Sequence, residues 1–277
     1  MDSAQLAGKA NDIRKDILTM ITEAGSGHPG GSLSCTDILT ALYFGGVMDY
    51  DPADPKKPGR DRFILAKGHA APALYATLAH AGYFPVEELN TLRKLGTRLQ
   101  GHPDSNLLPG VEVSTGSLGQ GLSVAAGLAA GLRLAGEDGF VFTVLGDGEC
   151  EEGQVWEATM FAAHQKLGRL VAIIDNNELQ IDGCIHDVCD PGNLAEKFAA
   201  FGWEVAEVDG HDIDAVIALL TARKAEAQPT AAPLAVIAHT VKGKGVSFME
   251  NQAGWHGKAP KPEELEVALA ELAAAVE

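Results

Sequence analysis

The sequence predicts an α/β fold: a parallel sheet with helices on both faces. Three observations carry this. Short apolar runs recur along the chain and alternate with helical patterns of about a dozen residues, as in crossover-connected parallel strands. Several of the runs read as continuous apolar stretches, as strands covered on both faces do. The chain has 277 residues, 46% of them hydrophobic, enough to build one large core.

Taken in order, Leu6, Ile13, Ile17, Met20 and Ile21 share one face of a first helix. The stretch AGSGHPGGSLSCTDILTALYF (24–44) interrupts that helix with a Gly/Pro loop and restarts it. Ser34 or Thr36 suits the cap of the restart, with Asp37 in its first turn. Arg62 to Ala66 reads as a strand, followed by a tight turn and a helix ending near Phe84. A glycine-studded loop at 111–121 leads into a helix of small residues, which permits close backbone approach. FVFTVL (140–145) is a short β-rich run, and 151–168 is a helix expected to end on Gly168. RLVAIIDNN (169–177), WEVAEVDG (203–210) and PLAVIAHT (233–240) are further strands. Helices at 193–202 and 212–227 separate them. The C-terminal segment is an acidic amphipathic helix with Leu265, Leu269, Leu272 and Val276 on one stripe. The expected division is a main domain over 1–260 and a helical tail over 261–277.

A net charge of −17 argues against a nucleic-acid-binding surface and against anionic membranes. No stretch reaches about 18 apolar residues, so no membrane span is expected, and charges occupy the N-terminus where a signal peptide needs an apolar core. Cys35, Cys150, Cys184 and Cys189 form no CxxC and no zinc-like spacing with histidine. They read as reduced thiols of a cytoplasmic protein.

The informative stretch is LGDGECEEG (145–153). Asp147 follows one strand, Asn176 and Asn177 end the next, and a helix joins the two. A right-handed crossover sets two such strands side by side or nearly so, and ligands bind beyond their carboxyl ends. Residues 147 and 177 should therefore close to a few ångströms and offer oxygens to one point. An oxygen pair suits Mg²⁺ or Ca²⁺ rather than zinc, and Mg²⁺ completes its shell with water and phosphate oxygens. Gly146 and Gly148 let backbone N–H groups approach an anion at the mouth of the following helix. The bland alternative is a turn aspartate and an Asx turn at Asn-Asn. Glu149 and Glu151 read as helix-start acids that favour the dipole, and Cys150 as packing.

Gly-Asp-Gly followed about thirty residues later by Asn-Asn resembles the thiamine-diphosphate motif. More specifically, nearly the whole chain resembles the N-terminal, diphosphate-binding domain of transketolase. SGHPGGSLS (26–34), KGHAAPALYA (67–76), GHPD (101–104), GVEVSTGSLGQGL (110–122), DNNELQIDG (175–183), TVKGKGVSFMEN (240–251) and WHGKAP (255–260) carry it. The resemblance implies a metal, Mg²⁺ with Ca²⁺ or Mn²⁺ able to substitute, on Asp147, Asn177 and the carbonyl of Leu179. It implies that Gly148 N–H, His69 and His256 hold the diphosphate. Gly116, Ser117 and Leu118 would meet the aminopyrimidine, and Ile181 the thiazolium. His28, His69, His102 and His256 would line the sugar channel, where neutral imidazoles both donate and accept. Glu152 would sit at a subunit contact in a carboxylate relay. The KGKG loop (242–245) reads as a cover for the anionic cofactor, or else as a solvated basic turn. Ser117 departs from the family, where proline is common. His80, His164, His186 and His239 carry no assigned role.

The activity implied is two-carbon ketol transfer from a ketose phosphate to an aldose phosphate through the cofactor's C2 carbanion. In that family a second, pyrimidine-binding domain supplies a glutamate for cofactor activation. The 37 residues after Thr240 are too few for it. The expectation is an N-terminal subunit that pairs with a separate C-terminal transketolase subunit, with a homodimeric core inside an α2β2 assembly. Half of another thiamine-diphosphate enzyme, resembling deoxyxylulose-phosphate synthase or a transketolase for sulfonated or branched sugars, is the alternative. A non-catalytic binding module that kept the fold is a third reading.

Overall fold

The structure is a computed structural model, and it describes residues 1–275. Val276, expected on the apolar stripe of the last helix, lies outside the described residues.

The chain opens with α1 (Ser3–Ala24), capped by Asp2 through a capping box with Gln5 and closed by Gly25 in a left-handed conformation. After the SGHPGG loop come α2 (Pro29–Ser34) and α3 (Thr36–Phe44), hinged at Cys35. Neither Ser34 nor Thr36 caps a helix, contrary to the expectation. Thr36 Oγ1 donates to the Ser32 carbonyl, and Ser34 Oγ is drawn away to the Asp175 carboxylate. There follow β1 (Arg62–Leu65), α4 (Ala71–His80), α5 (Gln120–Ala135), β2 (Val141–Gly146) and α6 (Gly153–His164). Next come β3 (Leu170–Asn176), a short antiparallel pair of β4 (Leu179–Gln180) and β5 (Gly183–Cys184), α7 (Ile185–Val188) and α8 (Leu194–Ala200). The chain finishes with β6 (Glu204–Asp209), α9 (Ile213–Glu226), β7 (Leu234–His239) and α10 (Pro262–Ala274).

The five long strands form one parallel sheet in the order β1-β2-β3-β7-β6. Two apolar layers cover it. One gathers side chains of α1, α3, α4 and α10 against Phe63, Phe142, Val171 and Val236. The other gathers those of α5, α6 and α8 against Ile64, Val141, Ala172 and Ile237. Strand residues thus alternate between two cores, and for that reason β2, β3 and β7 read as continuous apolar runs. Close approach of α5 to β1 depends on Gly121: a Cβ there would lie 2.3 Å from that of Ala66.

Two further features differ from the sequence reading for physical reasons. Helix α6 does not end on Gly168. It stops at His164, and Lys166 takes the left-handed conformation (φ 52°). Gly168 is needed for packing, since a Cβ there would meet the Gln228 carbonyl at 2.0 Å. The β4–β5 pair was not anticipated, because two residues per strand leave no periodic pattern to read.

Candidate cofactor site

The register fixes the site. Gly146 of β2 lies opposite Asp175 of β3, and Asn176 opposite His239 of β7. Asp147, Asn177 and Thr240 therefore leave the sheet at the same carboxyl edge. Asp147 is 2% exposed and Asn177 8%. One Asp147 oxygen accepts from Gly148 N–H at 2.7 Å and the other from Glu178 N–H. The sequence-predicted convergence of residues 147 and 177 is present. The turn geometry offered as its alternative is present too, as Leu179 N–H donates to Asn177 Oδ1 at 3.2 Å.

Beneath these groups lies a buried charge network that the sequence reading missed. Asp175, fully buried, accepts from Lys67 Nζ, from Ser34 Oγ at 2.6 Å and from Thr240 Oγ1 at 2.5 Å. Burial alone would raise its pKa; Lys67 and these donors hold it below the usual carboxylate range. Burial pulls the Lys67 ammonium down, but the Asp175 charge outweighs it and the pKa is raised. Asn177 Nδ2 also donates to Asp175, at 3.3 Å, which fixes the orientation of the amide. In the sequence, Lys67 stands directly after an apolar strand and opens the KGHAAPALYA stretch, but nothing there points to Asp175 as its partner.

A cavity of about 100 Å³ opens at this edge. His69, His256, Leu118, Asp147, Gly148, Asn177, Leu179 and Ile181 line it, together with Lys67, Lys242 and Gln180. Larger hollows exist elsewhere, one of about 550 Å³ beside Arg60 and Glu112, but those two residues are paired with each other. Of the expected site residues, His28, His102, Gly116, Ser117 and Glu152 do not line the small cavity.

The donor set fits a hard cation and a diphosphate. Asp147, the Asn177 amide oxygen and the Leu179 carbonyl are all oxygen donors, the preference of Mg²⁺ and Ca²⁺. The Lys242 ammonium already donates to Leu179 O at 2.8 Å, a cation standing next to these oxygens. Burial, then the Asp175 charge, raises Asp147 to a pKa of about 6. Lys67 and Lys242, 2% exposed each, supply positive charge to an anion in the cavity. Burial and the Lys67 charge lower Lys242 to about 8. Lys242 Nζ also contacts His256 Nδ1 at 2.9 Å, so the KGKG loop turns its first lysine inward instead of solvating it. That loop is pinned at Val241, whose N–H donates to His211 Nε2 at 2.8 Å. His211 in turn meets Asp37, which is paired with Arg14.

Three of the four candidate histidines form one cluster. The ring centroids of His28 and His69 lie 5.2 Å apart, those of His28 and His256 5.4 Å, and those of His69 and His256 5.2 Å. Burial, reinforced by neighbouring cations and imidazoles, lowers His69 to about 2, His256 to about 3 and His28 to about 4. All three are neutral at pH 7. His28 Nδ1 is buried without a partner. His102 stands apart from the cluster and packs on Gly116, where φ is 139° and a Cβ would lie 2.8 Å from its ring. Its pKa is lowered by burial and by Arg93.

The remaining candidates lie at the rim. Leu118 is 37% exposed and Ile181 65%. Ser117 is exposed, with its carbonyl accepting from Gln120 N–H. Glu152 is exposed beside Gly119. The reading of Glu149 as a helix-start acid needs correction. Residues 148–151 form a single tight turn that points Glu149 inward, where it is 3% exposed. Its carboxylate accepts from Gly119 N–H at 3.0 Å and Gly146 N–H at 3.1 Å. It ties the 116–119 loop to the Gly-Asp-Gly loop, and burial raises its pKa to about 7. Glu151 accepts from Gln180 Nε2 at 2.7 Å, and Cys150 is packed as expected.

Comparison with known proteins shows the family of the chain. Residues 7–274 match the family described as "Transketolase, thiamine diphosphate binding domain". The chain is 44% identical over 268 residues to the 6-deoxy-6-sulfo-D-fructose transketolase subunit SqwG of Clostridium sp. (strain MSTE9), covering 96% of each. It is 43% identical over 269 residues to one subunit of the apulose-4-phosphate transketolase of Actinobacillus succinogenes, covering 97% of this chain and 96% of the relative. Human transketolase is 41% identical over 268 residues, and there the match covers 94% of this chain but 40% of the longer protein. The crystal structure of transketolase from Campylobacter jejuni superposes with a TM-score of 0.90 at 32% identity, over 99% of this chain and 43% of that one. The chain thus spans the length of the subunit relatives and less than half of the full-length enzymes. It belongs to the transketolase family, matching its thiamine diphosphate-binding domain and relatives named as transketolase subunits.

Proposed function

We propose that this subunit transfers a two-carbon ketol unit from a ketose phosphate to an aldose phosphate, together with a separate C-terminal subunit that carries the pyrimidine-binding domain. One observation carries the reading: buried Asp147, Asn177, Lys67 and Lys242 line one small cavity whose rim carries the exposed Leu118 and Ile181. Residues 1–260 act as the cofactor domain, followed by the tail helix α10 (Pro262–Ala274). In the α2β2 assembly, two copies of this chain form the core. Glu152, exposed beside the 116–119 loop, joins a carboxylate relay there.

Asp147, Asn177 and the Leu179 carbonyl hold Mg²⁺, with Ca²⁺ or Mn²⁺ able to substitute. Gly148 N–H, His69 and His256 bind the diphosphate, with Lys242 and Lys67 supplying charge. Gly116, Ser117 and Leu118 meet the aminopyrimidine and Ile181 the thiazolium. When bound, thiamine diphosphate supplies the carbon nucleophile that accepts the two-carbon unit. His28, His69, His102 and His256, held neutral by burial, present imidazole nitrogens to sugar hydroxyls, His256 through Nε2 because its Nδ1 faces Lys242 Nζ.

The similarity to subunits named for sulfofructose and apulose phosphate favours a second reading of the substrate, a sulfonated or branched sugar in place of a common pentose phosphate. The four cysteines are unbonded, and among the described residues no helix is long and apolar enough to cross a membrane. Both fit a cytoplasmic location. The test is a two-carbon transfer assay with Mg²⁺ and thiamine diphosphate, on this chain alone and mixed with the C-terminal subunit. Common, sulfonated and branched sugar donors are compared. Turnover only in the mixture supports the reading; turnover by the chain alone refutes it.

A further inference from the structure

Arg93 stands where two loops of the site meet, outside the groups that hold metal and diphosphate. It is one of four non-glycine residues in the left-handed region among those described, with φ at 57°. Its neighbours Lys94 and Arg98 pair with Glu23 and Glu88, whereas Arg93 makes no ion pair among the described residues. Its guanidinium instead bridges two loops. Nη1 donates to Ser26 Oγ at 2.8 Å, two residues before His28. Nη2 reaches the Gly101 carbonyl at 3.5 Å, one residue before His102. The guanidinium rests against Gly101, where a Cβ would lie 3.0 Å from Arg93 Cζ and 3.1 Å from Nη2.

We propose that Arg93 is a positioning residue that clamps the His28 loop to the His102 loop and sets the spacing of the two imidazoles. The inference rests on the reading of those histidines as channel-lining. The bridge has the geometry for the task, since a planar fork can hold two loops at once where a lysine holds one point. The cation has a second effect, because it opposes protonation of both rings. Burial is the larger cause at each; Arg93 comes next, followed at His28 by His102 and Lys242. The rings of His69 and His256 pack on His28, and Gly116 on His102.

The test is NMR titration of the histidine side chains in the full chain loaded with Mg²⁺ and thiamine diphosphate. Arg93→Met is expected to raise the midpoints of both His28 and His102 by about half a unit or more, while exposed His186 is unchanged. Arg93→Lys restores the midpoints, because the charge returns, but not the imidazole chemical shifts, because the bridge does not. Ser26→Ala removes one arm and shifts the His28 signals alone. Gly101→Ala crowds the guanidinium, so it perturbs both rings in the wild-type background and neither in Arg93→Met. Unchanged His28 and His102 titrations in a folded Arg93→Met chain overturn the proposal. So does a Gly101→Ala effect that persists without Arg93. None of these readouts needs turnover, so a failed transfer assay and a failed clamp are told apart.

Discussion

The two ends of the cofactor site are built in opposite ways. At the metal-and-diphosphate end, Asp175, Lys67, Asp147 and Glu149 are buried, each with hydrogen-bond partners from this chain. At the ring end, Leu118 and Ile181 face solvent, and His28 Nδ1 is buried without a partner. The difference has a physical basis. A buried charge must find its partner when the chain folds, because an uncompensated one costs several kcal/mol. An apolar edge can wait in water for a second surface at small cost, and such edges mark interfaces. On the proposed function, the chain would complete anion recognition by itself and leave ring recognition to a partner.

The contrast can be broken most forcefully at Lys67. Lys67→Met leaves Asp175 buried without its cation and should destabilise the chain by about 3–5 kcal/mol, read by urea unfolding. A loss below about 1 kcal/mol would mean that this end is not locked by charge. Next, Asp147→Ala should weaken Mg²⁺-dependent binding of thiamine diphosphate at least a hundredfold, about 2.7 kcal/mol, with the far-ultraviolet circular dichroism unchanged. Calorimetry with and without Mg²⁺ checks it, and unaltered affinity would remove Asp147 from the metal site.

Two buried groups of the metal-and-diphosphate end should also respond to acid with opposite sign. His69 is held at about 2 in the fold against 6.5 in the unfolded chain. The unfolded chain therefore takes up the proton first. Stability from neutral His69 is complete above pH 6.5 and falls as pH drops, by about 1.4 kcal/mol per unit. Glu149 is raised to about 7 from 4.5, so the folded chain takes up that proton first. Its contribution is complete below pH 4.5 and is lost as pH rises through 7. Unfolding from pH 5 to 7.5 should show His69→Asn flattening the acid-side loss and Glu149→Gln flattening the opposite trend. Parallel curves for both variants would contradict the assignment. The smallest effect on the chain itself is at the open rim. Leu118→Ser and Ile181→Ser should leave its stability within about 0.5 kcal/mol while weakening cofactor binding in the two-subunit complex about tenfold.

The same contrast explains what was legible in the sequence. Asp147 and Asn177 belong to one strand-helix-strand crossover, so topology alone brings them together. The five strands were legible because burial on both faces leaves uninterrupted apolar runs. The His28, His69 and His256 cluster joins three loops far apart in sequence, and no spacing rule closes them; only the family resemblance pointed there. Lys67, Asp175 and Arg93 were missed because their partners are 108, 141 and 67 residues away. Glu149 was misread because helix-start acids are common, and a one-turn 148–151 segment that rotates it inward has no sequence signature. Gly168 was taken for a cap when its role is steric.

The measurement that tests the half-built site most directly compares Mg²⁺-dependent binding of thiamine diphosphate and of inorganic diphosphate, by calorimetry, to this chain alone and to its complex with the C-terminal subunit. The expected result is that the chain alone binds the two within about tenfold of each other, because it grips the shared anion. The complex should prefer the whole cofactor by at least a hundredfold, about 2.7 kcal/mol. A chain that alone already prefers thiamine diphosphate a hundredfold would contradict the account, because ring recognition would then be complete without a partner.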